Sequence, residues 1–406
     1  MTSSLSHVNY VVVSAPYPLN VHVALALTLA GLALAACSTA ETADIDQVSP
    51  TLETLWTAGQ PVGIAFSTIR KGAVDADRFY AIRERVGDGR ALVAYDRRDG
   101  AEAWRQTVVG PCTVVPAGDV VYCPGDYLYA LDARTGRVLW RHGTGRAEDS
   151  FQLVDADADA ARVYGGVAGA ADGTGRVVAV DARTGELVWE RTFEGPGWKG
   201  IRMAAATLAP DGDDLFVSFS GEYAPPAIYS AAAVAALDPA TGTERWRVVD
   251  GGPETDREGS ALAFSGDLVL YTDSGGQEVV AVSRRARAVA WRAPYTPGSF
   301  SINAAPVVAG GRVYYTDTLG GVFAVDAATG RRAWAVERPG GFFTQLACGG
   351  LLYADDQRGA LFDLGTGRHL GPLLADDEAI PGQAASADGV LYLSASSGVH
   401  AFACTG

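Results

Sequence analysis

ALDARTGRVLW, residues 130–140, decides how the rest of the chain is read, because it returns along the sequence. AVDARTGELVW (179–189), ALDPATGTERW (236–246) and AVDAATGRRAW (324–334) repeat it closely. AYDRRDGAEAW (94–104), AVSRRARAVAW (281–291) and LFDLGTGRHLG (361–371) repeat it loosely. A unit that recurs at a period of roughly 40–50 residues signals a propeller or a solenoid. Each copy opens on small and large apolar residues in alternation, which suits a strand, and closes on a second short strand. The Asp-x-x-Thr-Gly between them is turn chemistry: the carboxylate accepts from the next backbone N–H groups, and Gly supplies the positive φ of a bulged tight turn. Trp104, Trp140, Trp189, Trp246, Trp291 and Trp334 stand at the last position of six copies. A ring that large at a fixed place in every repeat is expected to pack on the neighbouring repeat.

A second hairpin precedes each unit, marked by Gly118-Asp119 before VVY, Gly266-Asp267 before LVLY, Gly311-Arg312 before VYY, Gly350 before LLY and Gly389 before VLY. Two hairpins per repeat make four strands, which is one propeller blade. The last strand, at 399–402, is followed by nothing like the outer tryptophan strand, whereas the first strand, LETLW, ends at Trp56. Trp56 is therefore expected to supply the missing outer strand of the last blade and close the ring, leaving no open edge. The fold class that follows is all-β: one eight-bladed propeller of four-stranded antiparallel blades over residues 50–406. Seven blades is the count if LFDLGTGRHLG does not build a full blade.

The A-x-D-x-x-T-G-x-x-x-W pattern resembles the repeat of pyrroloquinoline quinone (PQQ) propellers, and the resemblance covers essentially residues 50–406. That family includes PQQ-dependent alcohol dehydrogenases and the propeller lipoprotein of the outer-membrane barrel-assembly machinery. The repeat is structural in all of them, so it implies the fold and leaves the activity open. The resemblance to the dehydrogenases implies adjacent cysteines beside a quinone, and calcium held by Glu and Asn near a catalytic Asp. No Cys-Cys pair occurs here, and beyond residue 37 the only asparagine is Asn303.

The chain has 406 residues, 48% of them hydrophobic, enough for a large core. Its formal net charge of −15 makes nucleic acid and anionic lipid surfaces poor partners. Residues 21–36 form an apolar run of signal-peptide length, too short for a full membrane span. It ends in Leu34-Ala35-Ala36-Cys37, which resembles the lipobox of bacterial lipoproteins. That resemblance implies a signal peptide over 1–36, lipidation of Cys37, and an extracytoplasmic chain anchored to the bacterial cell membrane or outer membrane. The first Lys or Arg is Arg70, so the usual positive leader is missing. Residues 37–49 are small, polar and acidic and read as a flexible tether.

Cys112 and Cys123 flank a hairpin; a turn at Ala117-Gly118 would set them face to face, within reach of a disulfide in an oxidising compartment. Cys348 and Cys404 remain as a candidate second pair. No metal-ligand spacing joins the histidines, and no G-x-S-x-G elbow is present. Asp155-x-Asp157-x-Asp159 opens like a calcium loop but lacks the Gly and Glu that complete one, so it reads as a solvated turn. Function is expected on the long irregular connections that gather at one end of the ring. Trp198, the only tryptophan outside the repeat positions, joins Lys199, Arg202, Tyr223, Arg257, Asn303 and Phe343 as the candidate recognition face. The reading is a monomeric, non-catalytic binding module for a protein, peptide or glycan, with no cofactor. The alternative is a PQQ- and calcium-dependent dehydrogenase.

Overall fold

The computed structural model describes residues 52–59, 72–85, 89–107, 114–125, 127–143, 149–150, 157–159, 161–169, 174–195, 197–223, 230–252, 254–299, 305–337, 345–355, 359–374 and 381–404. Within them the structure is all-β, with no helix, and its strands form eight antiparallel sheets. In chain order these are blade 1 (residues 73–107), blade 2 (115–142), blade 3 (149–192), blade 4 (198–250), blade 5 (263–294), blade 6 (307–337) and blade 7 (345–372). Blade 8 takes Pro381–Ala387, Val390–Ala395 and Gly398–Ala403 from the end of the chain and Thr54–Ala58 from its beginning. LFDLGTGRHLG does build the outer half of blade 7, so the count is eight. Blade 3 differs slightly: two short pieces, Asp149–Ser150 and Asp157–Ala158, share the work of its first strand.

The first strands of neighbouring blades touch from blade 5 through blade 8 to blade 1 and on to blade 4, with that of blade 8 lying against those of blades 7 and 1. Closure is by antiparallel pairing: Trp56 stands opposite Ala401, Thr57 opposite His400 and Ala58 opposite Val399. The closing strand runs two residues beyond Trp56 because Thr57 and Ala58 continue the ladder.

Each tight turn follows the chemistry of its sequence. In blade 2, Asp132 Oδ1 accepts from the N–H and hydroxyl of Thr135, at 2.8 and 2.7 Å, and those bonds hold its carboxyl below the usual range. The Gly136 N–H donates to the Asp132 carbonyl at 2.8 Å, and the register shifts by a bulge between Ala130 and Leu131. The two tight turns of one blade also bond each other: Ala133 N–H donates to the Asp119 carbonyl at 2.9 Å. Both hairpins therefore lie at one end of the ring, and the remaining connections lie at the other.

The core sits between blades rather than within them. Strands such as Val390–Ala395 are buried on both faces. One cluster joins Phe79 and Val93 of blade 1 to Tyr392 and Val399 of blade 8, and Phe79 stacks on Tyr392 at 5.6 Å. Full burial of one such side chain stabilises by roughly 1.5–3 kcal/mol, so each interface carries much of the fold. Blade interfaces are also locked by the tryptophans. Trp56 Nε1 donates to the Arg97 carbonyl at 2.8 Å, Trp104 to Ala133 at 2.8 Å, Trp140 to Ala182 at 3.0 Å and Trp189 to Pro239 at 3.0 Å. Trp291 donates to Ala327 at 3.1 Å and Trp334 to Leu364 at 3.3 Å. Each indole also lies flat on the turn glycine of the next blade. A Cβ at Gly100, Gly136, Gly185, Gly242, Gly330 or Gly367 would come under 3.0 Å from it.

A disulfide joins Cys348, at the end of the first strand of blade 7, to Cys404 beyond the last strand of blade 8, with Cα atoms 5.7 Å apart. Cys123 is also disulfide-bonded. Its expected partner, Cys112, lies outside the described residues. The register behind that expectation is corrected here: Ala117 pairs with Val120 and Pro116 with Val121, so the turn is Gly118-Asp119. Gly118 takes the positive φ of 58° that this turn needs, and the position facing Cys123 shifts to residue 114. Cys37, with residues 1–51, also lies outside the described residues.

Candidate recognition face

At the end of the ring opposite the tight turns, blade 4 reaches furthest. Its first three strands, Trp198–Leu208, Leu215–Tyr223 and Ser230–Leu237, contain 11, 9 and 8 residues, against 3, 6 and 6 for the corresponding strands of blade 5. The extra length carries four of the expected recognition residues, Trp198, Lys199, Arg202 and Tyr223, beyond the shared core, and Arg257 stands in the connection to blade 5. Trp198 faces Tyr223 across the first pair of strands. Its ring is half-buried, meets Phe219 edge-on at 5.9 Å, and occupies the space left by Gly221, where a Cβ would come under 3.0 Å. The indole Nε1 is buried and makes no hydrogen bond among the described residues. Lys199 and Arg202 are exposed, and Tyr223 is half-buried. Asn303 and Phe343 lie outside the described residues.

The connection from blade 4 to blade 5 is laced by charge. Arg202 donates to Glu222 at 2.7 Å and to Glu258 at 2.8 Å, spanning its own blade and the connection. Glu258 also accepts from the Ser274 hydroxyl at 2.8 Å. Arg257 turns inward, pairing with Asp273 at 2.8 Å and with Glu278. Arg292 completes the lacing, bonding Glu278 at 2.6 Å and both oxygens of Asp250.

Burial pushes the Asp273 carboxyl above its usual range, although Arg257 and two backbone N–H groups oppose it. For Arg257, burial is outweighed by the two carboxylates, and its pKa rises. The Asp250 carboxyl also loses water, yet Arg292 holds it below the usual range. The sequence offered no signal for this network, because its partners are spread over six strands of two blades and the connection between them.

The inner polar groups are spent on neighbouring blades. Arg83 of blade 1 donates to Ser394 at 2.7 Å and to the Ala395 carbonyl at 2.9 Å in blade 8. Thr316 of blade 6 bonds Gln345 of blade 7 at 2.6 Å, and Ser218 donates to the Ser260 carbonyl at 2.5 Å. Asp159, last of the calcium-like triplet, caps a hairpin by accepting from the Ala161 N–H and the Tyr164 hydroxyl at 2.7 and 2.8 Å. Among the described residues no group of three or more His, Cys, Asp or Glu side chains converges as a metal site. The sequence also holds no adjacent cysteine pair of the kind that the resemblance to the dehydrogenases implies.

Comparisons with known proteins add the relatives. The profile of the family described as outer membrane protein assembly factor BamB matches residues 41–224 and 230–371. Outer membrane protein assembly factor BamB of Vibrio cholerae serotype O1 is 28% identical over 139 residues, 31% of this chain and 33% of the relative. Quinohemoprotein alcohol dehydrogenase ADH-IIG of Pseudomonas putida is 27% identical over 182 residues, 40% of this chain and 24% of the relative. The chain thus spans about a third or less of the length of these curated relatives. The crystal structure of BamB from Moraxella catarrhalis aligns with a TM-score of 0.59 at 18% identity, covering 85% of this chain and 94% of that one. At that identity the likeness shows the fold alone.

Proposed function

Because the chain belongs to the family described as outer membrane protein assembly factor BamB, we propose that it is a non-catalytic propeller that binds a protein partner on the loop end of the ring. The observation that carries this reading is the overhang of blade 4. It presents exposed Lys199 and Arg202 beside half-buried Trp198 and Tyr223, where blade 5 has strands of 3, 6 and 6 residues. A peptide or glycan would use the same aromatic and cationic groups. In this proposal the apolar leader places the chain outside the cytoplasm, Cys37 anchors it by lipid to the cell membrane or outer membrane, residues 37–49 give it reach, and the propeller acts as a monomer.

The test is site-specific photo-crosslinking from position 199 in cells, with Arg202→Glu and Cys37→Ser as variants. A discrete protein adduct that Arg202→Glu abolishes supports the proposal, and Cys37→Ser is expected to release the chain from membranes. Absence of any adduct from the overhang would sink it. The dehydrogenase reading draws on the quinohemoprotein relative. It requires that PQQ with Ca²⁺ raise the melting temperature of the protein and support dye-linked alcohol oxidation.

A further inference from the structure

Six of the seven tryptophan junctions are built alike, and the seventh is not. Trp246, on the outer strand of blade 4, faces the blade 5 turn Ser283-Arg284-Arg285-Ala286-Arg287. Here Ser283 replaces Asp and Arg287 replaces Gly. The turn keeps its shape: Arg287 N–H still donates to the Ser283 carbonyl at 2.8 Å, and Arg287 holds a φ of 54°. That left-handed conformation crowds the Cβ of a non-glycine residue against the following carbonyl. At the other six junctions the indole lies where a turn Cβ would stand. Arg287 has such a Cβ, so the indole of Trp246 cannot seat itself on the turn in the same way. Among the described residues Trp246 makes no Nε1 hydrogen bond of the kind the other six make.

What remains is an open cleft of about 380 Å³ at the tight-turn end, lined by Trp246, four arginines and two aspartates. Two of the arginines are committed. Arg245 and Arg284 hold Asp214 between them, at 2.7 and 3.3 Å, with further bonds to Asp238 and Asp211. Arg285 and Arg287 are exposed, and among the described residues their guanidinium groups pair with no carboxylate. The second aspartate, Asp267, is occupied by the Ser283 hydroxyl at 2.6 Å and the Arg285 N–H at 3.0 Å. The cleft therefore offers two free planar cations beside an aromatic ring, on a chain whose net charge is −15.

We propose that this cleft captures carboxylates of an acidic peptide segment, at a second binding site on the opposite end of the ring from the blade 4 overhang. Guanidinium forks match carboxylates bidentately. Openness favours side chains presented by a macromolecule over a small ion that would need enclosure. The rest of the acidic surface repels such a segment, which confines it to this rim.

The test uses the full chain and a short acetylated Glu/Asp peptide bearing a fluorophore, followed by anisotropy. Arg285→Gln removes a free cation, and Arg287→Gly restores the repeat glycine so that the indole can close over the turn. The expected result is salt-sensitive binding that weakens at least about ten-fold in each variant, while Arg287→Gly raises the melting temperature. Binding unchanged in both variants, no binding by the natural chain, or equal binding of the matching Gln/Asn peptide would overturn it. Displacement by inorganic phosphate at the same concentration as unlabelled peptide would also overturn it, since the site would then take any oxyanion.

Discussion

Two junctions of the ring differ in opposite ways from a plain repeat. The closing junction is made by chain segments far apart, Thr57 and His400 being 343 residues apart, yet Trp56 seats on Gly100 and bonds the Arg97 carbonyl in the manner of the five indoles at the other regular junctions. The blade 4–5 junction is continuous in sequence, yet its turn carries Arg287 at a positive φ where the others carry glycine, and its indole lacks the Nε1 bond among the described residues. What decides the regularity of a junction is the residue under the ring, not the continuity of the chain. Where the glycine is missing, the blade 4–5 interface is held at its far end by Arg257 and Arg292 among buried and half-buried carboxylates. Both interfaces keep an apolar core; the closing one adds an indole seated on glycine, and the other adds these ion pairs.

Several changes would break or sharpen that contrast. The largest effect is expected from Trp56→Ala, which empties the closing interface and leaves the Arg97 carbonyl unpaired; the loss should be about 4 kcal/mol in urea unfolding. Arg257→Met should follow at about 3 kcal/mol, because Asp273 is fully buried and would lose its cation. Its cost should shrink in acid, where Asp273 takes up a proton, whereas the cost of Trp56→Ala should not. Gly136→Ala drives a methyl into the Trp104 ring at a positive φ, and about 2 kcal/mol of destabilisation is expected. Arg287→Gly should do the reverse and stabilise by about 1 kcal/mol, read as a higher urea midpoint.

The smallest effect concerns His400, which sits in the closing pair between Thr57 Oγ1 at 3.2 Å and Ser397 Oγ at 3.0 Å. Burial, with Arg83 nearby, lowers its pKa below the ordinary value of 6.5. The unfolded chain thus binds this proton more readily than the folded one. Stability from His400 is complete above about pH 6.5 and declines as pH falls toward the folded pKa. His400→Gln should flatten that decline, and unchanged pH dependence of the urea midpoint would dismiss the residue.

The fold was legible because its determinants are local and repeated: an Asp, a Gly and a Trp at fixed offsets, and a leftover Trp56 to match an incomplete last blade. The register at Cys123 was misread by two positions because Ala117-Gly118 and Gly118-Asp119 are both good turns, and sequence alone does not rank them. The lacing around Arg257 was illegible, since nothing in one strand announces a carboxylate in another. The cleft at Trp246 did have a signal, the lost Thr-Gly of SRRARA. Only the structure gives that loss a consequence, by showing how closely the other indoles lie on their glycines.

The pairing of Thr54–Ala58 with Gly398–Ala403 also sets an order of assembly. A chain made from its amino end releases the closing strand early and its partner last. Throughout synthesis that strand must stay unpaired, and blade 8 cannot reach its full width until Ala403 is free. Closing the ring therefore depends on a contact between strands 343 residues apart, the kind of non-local pairing that slows folding.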